Sequence, residues 1–344
     1  MKKIINIVLL SAFVTVLSIS CNKDGDPTPP RAISFGKIAT RVESVSEIEE
    51  FSVWATVSSI GSTDVSYEPF FINERVYRDP VGSDNWTYDD TKYWIDNTLF
   101  NFVAAYPYDE AGDIFTFENN AIELSVSETP SVVDYLMATH ETNTGADDFD
   151  FSAPVPLQFK HMLTNVSLNI WRDEGKHKND DMRVKKVTLS NICKGGTYSS
   201  ALKAWTPTSD KKLTLSYEDN NLSDSDKIGA VIIKNDGTLE ASGGDPLTPL
   251  FAEQQQPLLL LIPQTIDGSN SVSLKIEYEL KRQNAADWES AELETILPSI
   301  TWKSGQRYTY NVVLSSVTDI TVYYIQTKVD PWGTPQVGGT VIIK

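Results

Sequence analysis

Beyond residue 31, hydrophobic and polar positions alternate with a period of two through most of the chain. "VSLNIW" (166–171), "VKKVTLS" (184–190), "SVSLKIEYEL" (271–280) and "YTYNVVL" (308–314) share that period and are rich in β-branched and aromatic residues, which predicts half-buried strands. "PLLLLIP" (257–263) breaks the alternation, and a continuous apolar run between prolines predicts a strand covered on both faces. Asn235-Asp236-Gly237, Gly243-Gly244 and Asp267-Gly268 punctuate the strands as turns, and "IKNDGTLEASG" (233–243) reads as a hairpin. Helical spacing is scarce; Ser131–His140 is expected to form a turn or two of helix. An all-β chain of many short strands is expected to bury its apolar faces as a pair of sandwiches. Acidic residues and two prolines interrupt the pattern in "TGADDFDFSAPVP" (144–156). The junction is placed there, with one sandwich over 42–150 and the second over 151–344.

The first twenty residues follow a different rule. Lys2 and Lys3 precede an apolar run from Ile4 to Leu17, too short for the roughly twenty residues of a membrane-spanning helix, so residues 1–20 read as an export signal. Ser20 and Cys21 then resemble the cleavage point of a bacterial lipoprotein, with Leu17 one place earlier than the usual leucine. Cys21 is the candidate lipidation site; a plain secretory cut with an incidental cysteine is the alternative. Acyl chains on one residue hold a protein at a membrane surface without a transmembrane span. "NKDGDPTPPR" (22–31) is polar with three prolines and reads as a tether.

Composition narrows the partners. The 344 residues carry a formal charge of −18, which becomes −20 once Lys2 and Lys3 leave with the signal, so nucleic acid and anionic lipid are poor partners. With Cys21 acylated, Cys193 has no partner for a disulfide and is expected to be a small buried hydrophobe. His140, His161 and His177 lack metal-ligand spacing, and His161 falls on an otherwise apolar strand face, where a hydrogen-bonded structural role is expected. Asp147, Asp148 and Asp150 lack the glycine and distal glutamate of a calcium loop and read as a solvated linker. No nucleophile elbow, phosphate loop or dinucleotide fingerprint occurs. The reading is of a non-enzyme without metal or cofactor, although a carboxylate pair for glycoside hydrolysis stays open among 47 acidic residues.

The densest aromatic stretch is "NWTYDDTKYWIDNTLFNFVAAYPYD" (85–109). An exposed row of Trp86, Tyr88, Tyr93 and Trp94 would suit a surface glycan-binding lipoprotein; buried, the same rings would be core packing, which is the favoured reading. The order Trp86-Thr87-Tyr88, Tyr93-Trp94, "LFNFVAAYP" (99–107), "PLQFKHMLTNVSLNI" (156–170), "WKSGQRYTYNVVL" (302–314) and Trp332 resembles the fimbrillin family of Bacteroidales, pilin-like lipoproteins, over nearly the whole mature chain. "CNKDGD" (21–26) likewise resembles a surface-export signal of Bacteroidetes lipoproteins.

The resemblance implies two tandem transthyretin-like Greek-key β-sandwich domains. It further implies lipoprotein export to the outer membrane and cell surface, trimming by an arginine-specific protease, and polymerisation into a fimbrium with other copies or related subunits as a strand of one fills the groove of the next. Arg41, followed by Val42, matches the processing position, with Arg31, Arg75 and Arg78 as competitors. Residues 21–41 are then tether and removable first strand, in which "AISFGKI" (32–38) places Ile33 and Phe35 on one face. "GGTVIIK" (338–344) places Val341 and Ile343 at the same spacing behind flexible glycines and is the donor-strand candidate; an intramolecular last strand is its alternative.

Overall fold

In the stretches 166–171, 184–190, 271–280 and 308–314, where apolar side chains recur at every second position, the chain is extended and buries that face in a core between sheets. The computed structural model describes residues 31–36, 39–40, 48–61, 67–118, 120–129, 131, 133–174, 180–208, 212–247, 259–317, 320–331 and 340–342. Among them no residue is helical. The first nine strands are β1 (Ala39–Thr40), β2 (Glu50–Ser59), β3 (Glu68–Arg78), β4 (Trp86–Thr87), β5 (Thr98–Tyr106), β6 (Phe115–Glu118), β7 (Ala121–Val126), β8 (Leu136–Asn143) and β9 (Gln158–His161). The rest are β10 (Thr164–Asp173), β11 (Asp181–Cys193), β12 (Gly196–Ser199), β13 (Ala204–Pro207), β14 (Lys212–Glu218), β15 (Ala230–Ile233), β16 (Leu239–Gly243), β17 (Leu259–Leu261), β18 (Thr265–Ile266), β19 (Ser273–Lys281), β20 (Glu289–Ile296), β21 (Ile300–Thr301), β22 (Gln306–Val317), β23 (Ile320–Pro331) and β24 (Thr340–Ile342).

Three cores organise these strands. The first sheet runs β1-β9-β8-β5-β2-β3-β4, and its inner face buries Phe51, Val53, Phe71, Phe100, Phe102 and Phe159 with Ile33 and Phe35. Its outer face carries Trp54, Val103, Ala105 and Met137 onto Ile122 and Leu124 of a second sheet, β13-β12-β7-β6. That second sheet draws β6 and β7 from before residue 150 and β12 and β13 from after it, with Gly196 paired to Val126 and Ser199 to Glu123. The third core lies between β16-β15-β10-β22-β23-β24, which also pairs β17 to β10, and β14-β11-β19-β20. Val166, Leu168, Tyr310 and Val312 face Val187, Leu189, Ile276 and Tyr278 there.

Several local expectations meet their physical reasons. Leu259 and Leu261 enter the third core while Leu260 and Ile262 enter the one between the first two sheets, so the apolar run is buried on both sides. β15 and β16 form the hairpin, closed by Lys234 N–H donating to Thr238 C=O at 2.9 Å, with Gly237 at φ 81°. Among the described residues of Ser131–His140 the expected helix is absent, and residues 136–140 belong to β8. Leu136, Met137 and Ala138 are consecutive and buried because β8 is covered on both faces, and that run hides the period of two. In "WKSGQRYTY", Gly305 at φ 68° turns the chain so that Trp302 Nε1–H donates to Tyr310 Oη at 2.9 Å inside the core. Tyr308 Oη–H donates to the Thr301 carbonyl at 2.8 Å across the same corner.

Candidate functional site

The segment around Ile33 and Phe35 is extended and held on both sides. Ile33 N–H donates to Lys92 C=O at 2.8 Å and Trp94 N–H to Arg31 C=O at 3.0 Å, an antiparallel contact centred on the Ala32–Tyr93 bridge. On its other side Val155 N–H donates to Ser34 C=O at 2.8 Å, and Phe35 bridges Val155 in parallel. The parallel contact resumes at β1 with the register shifted by one residue, Ala39 pairing with Gln158 and Thr40 with Phe159. β1 is one edge of the first sheet and β4 the other, and residues 88–94 follow β4 directly, so residues 31–36 and 39–40 between them tie the two edges together.

Ile33 is 2% exposed and Phe35 is 5% exposed. Alternation sends both side chains inward, where Phe35 meets Phe51, Phe71, Tyr88 and Phe102 edge-on with centroids 5.7 to 6.4 Å away. Tyr88 Oη–H donates to the Ile33 carbonyl at 2.8 Å, and burial pushes its phenol above the ordinary range, which keeps it a donor. Gly36 lies under Pro154: a Cβ there would stand 2.6 Å from the proline ring, so the loop before β9 closes directly over the segment. That loop also places Phe149 against Trp94, with centroids 5.0 Å apart, and Phe151 against Phe149 at 4.7 Å.

The remaining sequence candidates fall as follows. Cys21, Arg41, Val42 and Ile343 lie outside the described residues. Val341 lies in β24, paired with Thr327 at the edge of the third core's larger sheet, so residues 340–342 add to a sheet of their own chain. Of the four rings, Trp86 is 7% and Trp94 is 8% exposed and Tyr88 is half-buried, leaving Tyr93 alone exposed, which removes the planar row that a glycan-binding reading needs. Cys193 is buried, with Lys212 Nζ 3.1 Å from its sulfur. His161 is buried with Nδ1 2.7 Å from Asp134 Oδ2, the structural role expected of it. Burial raises the Asp134 carboxyl above its ordinary value, against the opposing pull of His161. Asp147, Asp148 and Asp150 share a loop; the Ser152 hydroxyl and N–H bind Asp150 and hold its carboxyl below the usual range. Among the described residues no three acidic, histidine or cysteine side chains are grouped to hold a metal ion.

Sequence reasoning missed the residues that clasp the segment. Arg31, read as the end of a tether, ion-pairs with Asp96, and its guanidinium carbon stands 3.3 Å from the Phe151 ring centroid. Phe149 and Phe151, read as part of an interrupting linker, are packed against the first core. The signal was present in "DDFDF" (147–151), an aromatic alternation inside an acidic run.

What the geometry defines is a class of all-β sandwich protein that keeps an extended segment of its own N-terminal region in a groove lined by aromatic rings. Residues 40–332 match the fimbrillin-like family model, and the chain belongs to that family. A fimbrial protein from Bacteroides vulgatus has a similar structure, with a TM-score of 0.63 at 17% identity, over 88% of this chain and 99% of that one. At that identity the likeness is one of fold. Two others are matched: a candidate cell adhesion protein from Bacteroides ovatus (TM-score 0.46, 17% identity, 89% of this chain and 99% of that one) and a fimbrial assembly protein from Parabacteroides distasonis (0.38, 9%, 91% and 97%). No curated protein matches the chain.

Proposed function

We propose that the chain is a fimbrial subunit, carried to the cell surface as an outer-membrane lipoprotein through Cys21, which polymerises when proteolysis frees its N-terminal segment and the strand of another subunit takes the vacated groove. The observation that carries this reading is the burial of Ile33 and Phe35 in a segment that bonds to two sheet edges. Each such side chain contributes about 1.5–3 kcal/mol on burial. Without them, Phe51, Phe71 and Phe102 lose their cover and the edges at Lys92–Trp94 and β9 lose their partners. An unpaired, apolar edge recruits another strand.

Positions of the arginines support processing at Arg41. Arg75 and Arg78 lie within β3, Arg75 bound to Glu50 and Arg78 stacked on Trp86 at 4.8 Å. Arg31 is engaged by Asp96 and Phe151, and a cut there would leave Ile33 and Phe35 attached to the body. Arg41 follows β1 directly in sequence, so a cut between Arg41 and Val42 detaches the whole segment. Among the described residues the donor candidate β24 pairs with β23 over three residues, whereas β22 and β23 pair over twelve. A tail from one subunit in the groove of the next is a head-to-tail contact that does not close on itself, so it propagates as a filament.

The test is to treat the purified chain with an arginine-specific protease and run it unboiled on an SDS gel. Ladders of SDS-resistant oligomers are expected from the parent and none from Arg41→Ala. Clean cleavage at Arg41 that leaves only monomers overturns the reading.

A further inference from the structure

We propose that the place filled by Arg31 is a cation subsite of the strand groove, which selects an incoming strand carrying arginine or lysine two residues before its pair of buried apolar side chains. The inference rests on the strand-replacement reading above and names the partner chemistry that the groove prefers.

Three features build the subsite. The Arg31 guanidinium lies over the Phe151 ring with its carbon 3.3 Å from the centroid, and it ion-pairs with Asp96. A cation over an aromatic face is attracted by the ring quadrupole even at a partly exposed site. The ring is itself fixed: Phe151 is edge-on to Phe149, at 88° between planes, and Phe149 is edge-on to Trp94. Around them opens a cavity of about 480 Å³ lined by Arg31, Ala32, Phe149, Asp150, Phe151 and Ser152, in which Asp150 stays ionised through its bonds to Ser152. Asp96, Phe149, Asp150 and Phe151 all lie beyond Arg41 and remain with the body when the segment departs.

Period two then defines the ligand. Arg31, Ile33 and Phe35 are consecutive alternate positions, so a replacement strand in the same register presents its own first residue to Asp96 and Phe151. Aligning Val341 and Ile343 of the tail with Ile33 and Phe35 puts Gly339 at that first position. Such a tail fills the apolar pockets and leaves the cation subsite empty. A strand with a basic residue there satisfies both, and the negative net charge of the body favours its approach. The groove therefore ranks competing strands rather than accepting any apolar pair.

The test uses the chain after cleavage and removal of residues 31–41, with labelled synthetic peptides followed by fluorescence anisotropy. The peptide of residues 31–40 is compared with the same peptide carrying Arg31→Gln, and the peptide of residues 336–344 with its Gly339→Arg form. Loss of the arginine is expected to weaken binding about tenfold, equivalent to about 1.4 kcal/mol. Gain of arginine at 339 is expected to tighten the tail peptide several-fold. Both differences are expected to shrink in high salt and to vanish in bodies carrying Asp96→Asn with Phe151→Leu. Equal affinities for the parent 31–40 peptide and its Arg31→Gln form overturn the subsite while the strand-replacement reading stands. Failure of every peptide to bind overturns both.

Discussion

Replacing Phe35 by alanine probes whether the N-terminal segment is a separately releasable unit. The ring is 5% exposed and meets four aromatic neighbours, Phe51, Phe71, Tyr88 and Phe102, at 6.3, 5.9, 5.7 and 6.4 Å between centroids. Truncating a buried phenylalanine costs about 3–5 kcal/mol. Only a few main-chain bonds hold residues 31–36, those of the Ile33, Trp94 and Val155 amides among them, so the loss falls on local opening of this segment rather than on the sheet beneath. At about 1.4 kcal/mol per tenfold, the open population rises by roughly two to nearly four orders of magnitude. Native-state hydrogen exchange on the full chain reads this directly. The Ile33, Trp94 and Val155 amides are expected to accelerate by that factor while the ladder between β2 and β5 keeps its rates. Uniform acceleration through the β2–β5 ladder, or none at Ile33, refutes the reasoning.

Three further outcomes follow from contacts already described or adjoining them. Gly36→Ala pushes a methyl into the ring of Pro154 and is expected to speed cleavage by the arginine-specific protease and lower the melting temperature; an unchanged cleavage rate shows that the loop before β9 does not hold the segment. The Asp109 carboxylate accepts the N–H groups of Gly112, Ile114 and Phe115 at 3.2, 2.7 and 3.1 Å, so Asp109→Ala is expected to cost about 3 kcal/mol in urea unfolding, and a loss well under about 1 kcal/mol contradicts this. Burial raises the Asp134 carboxyl, so the stability it contributes is fully present below its ordinary 3.8 and is lost as pH climbs through the raised value. Asp134→Asn keeps an acceptor for His161 without the charge, and its stability relative to the parent is expected to be higher near neutral pH than near the ordinary carboxylate value. The same relative stability at both, measured by urea titration, refutes this.

Much of the fold was legible because period two is local and survives wherever one face is buried. The stretches 271–280 and 308–314 became β19 and β22 for that reason, and Leu259–Leu261 declared itself through loss of period. The failure at Ser131–His140 has the same origin in reverse: Leu136, Met137 and Ala138 sit in a strand covered on both faces, where a short apolar run is compatible with helix or sheet. At the groove, Ile33 and Phe35 were readable from spacing, whereas Arg31, Asp96 and Phe151 were not. Their meeting joins positions 65 and 120 residues apart; the alternation in "DDFDF" (147–151) marks Phe151 as a packing residue but does not name Arg31 or Asp96 as its partners.

The pairing of β7 with β12 bears on dissection of the molecule. Splitting the chain anywhere within 144–156 leaves β6 and β7 on one product and their partners β12 and β13 on the other. Each product bares part of the interface where Ile122 and Leu124 meet Leu260 and Ile262. Halves expressed apart are thus candidates for aggregation, and halves expressed together for reassembly by complementation.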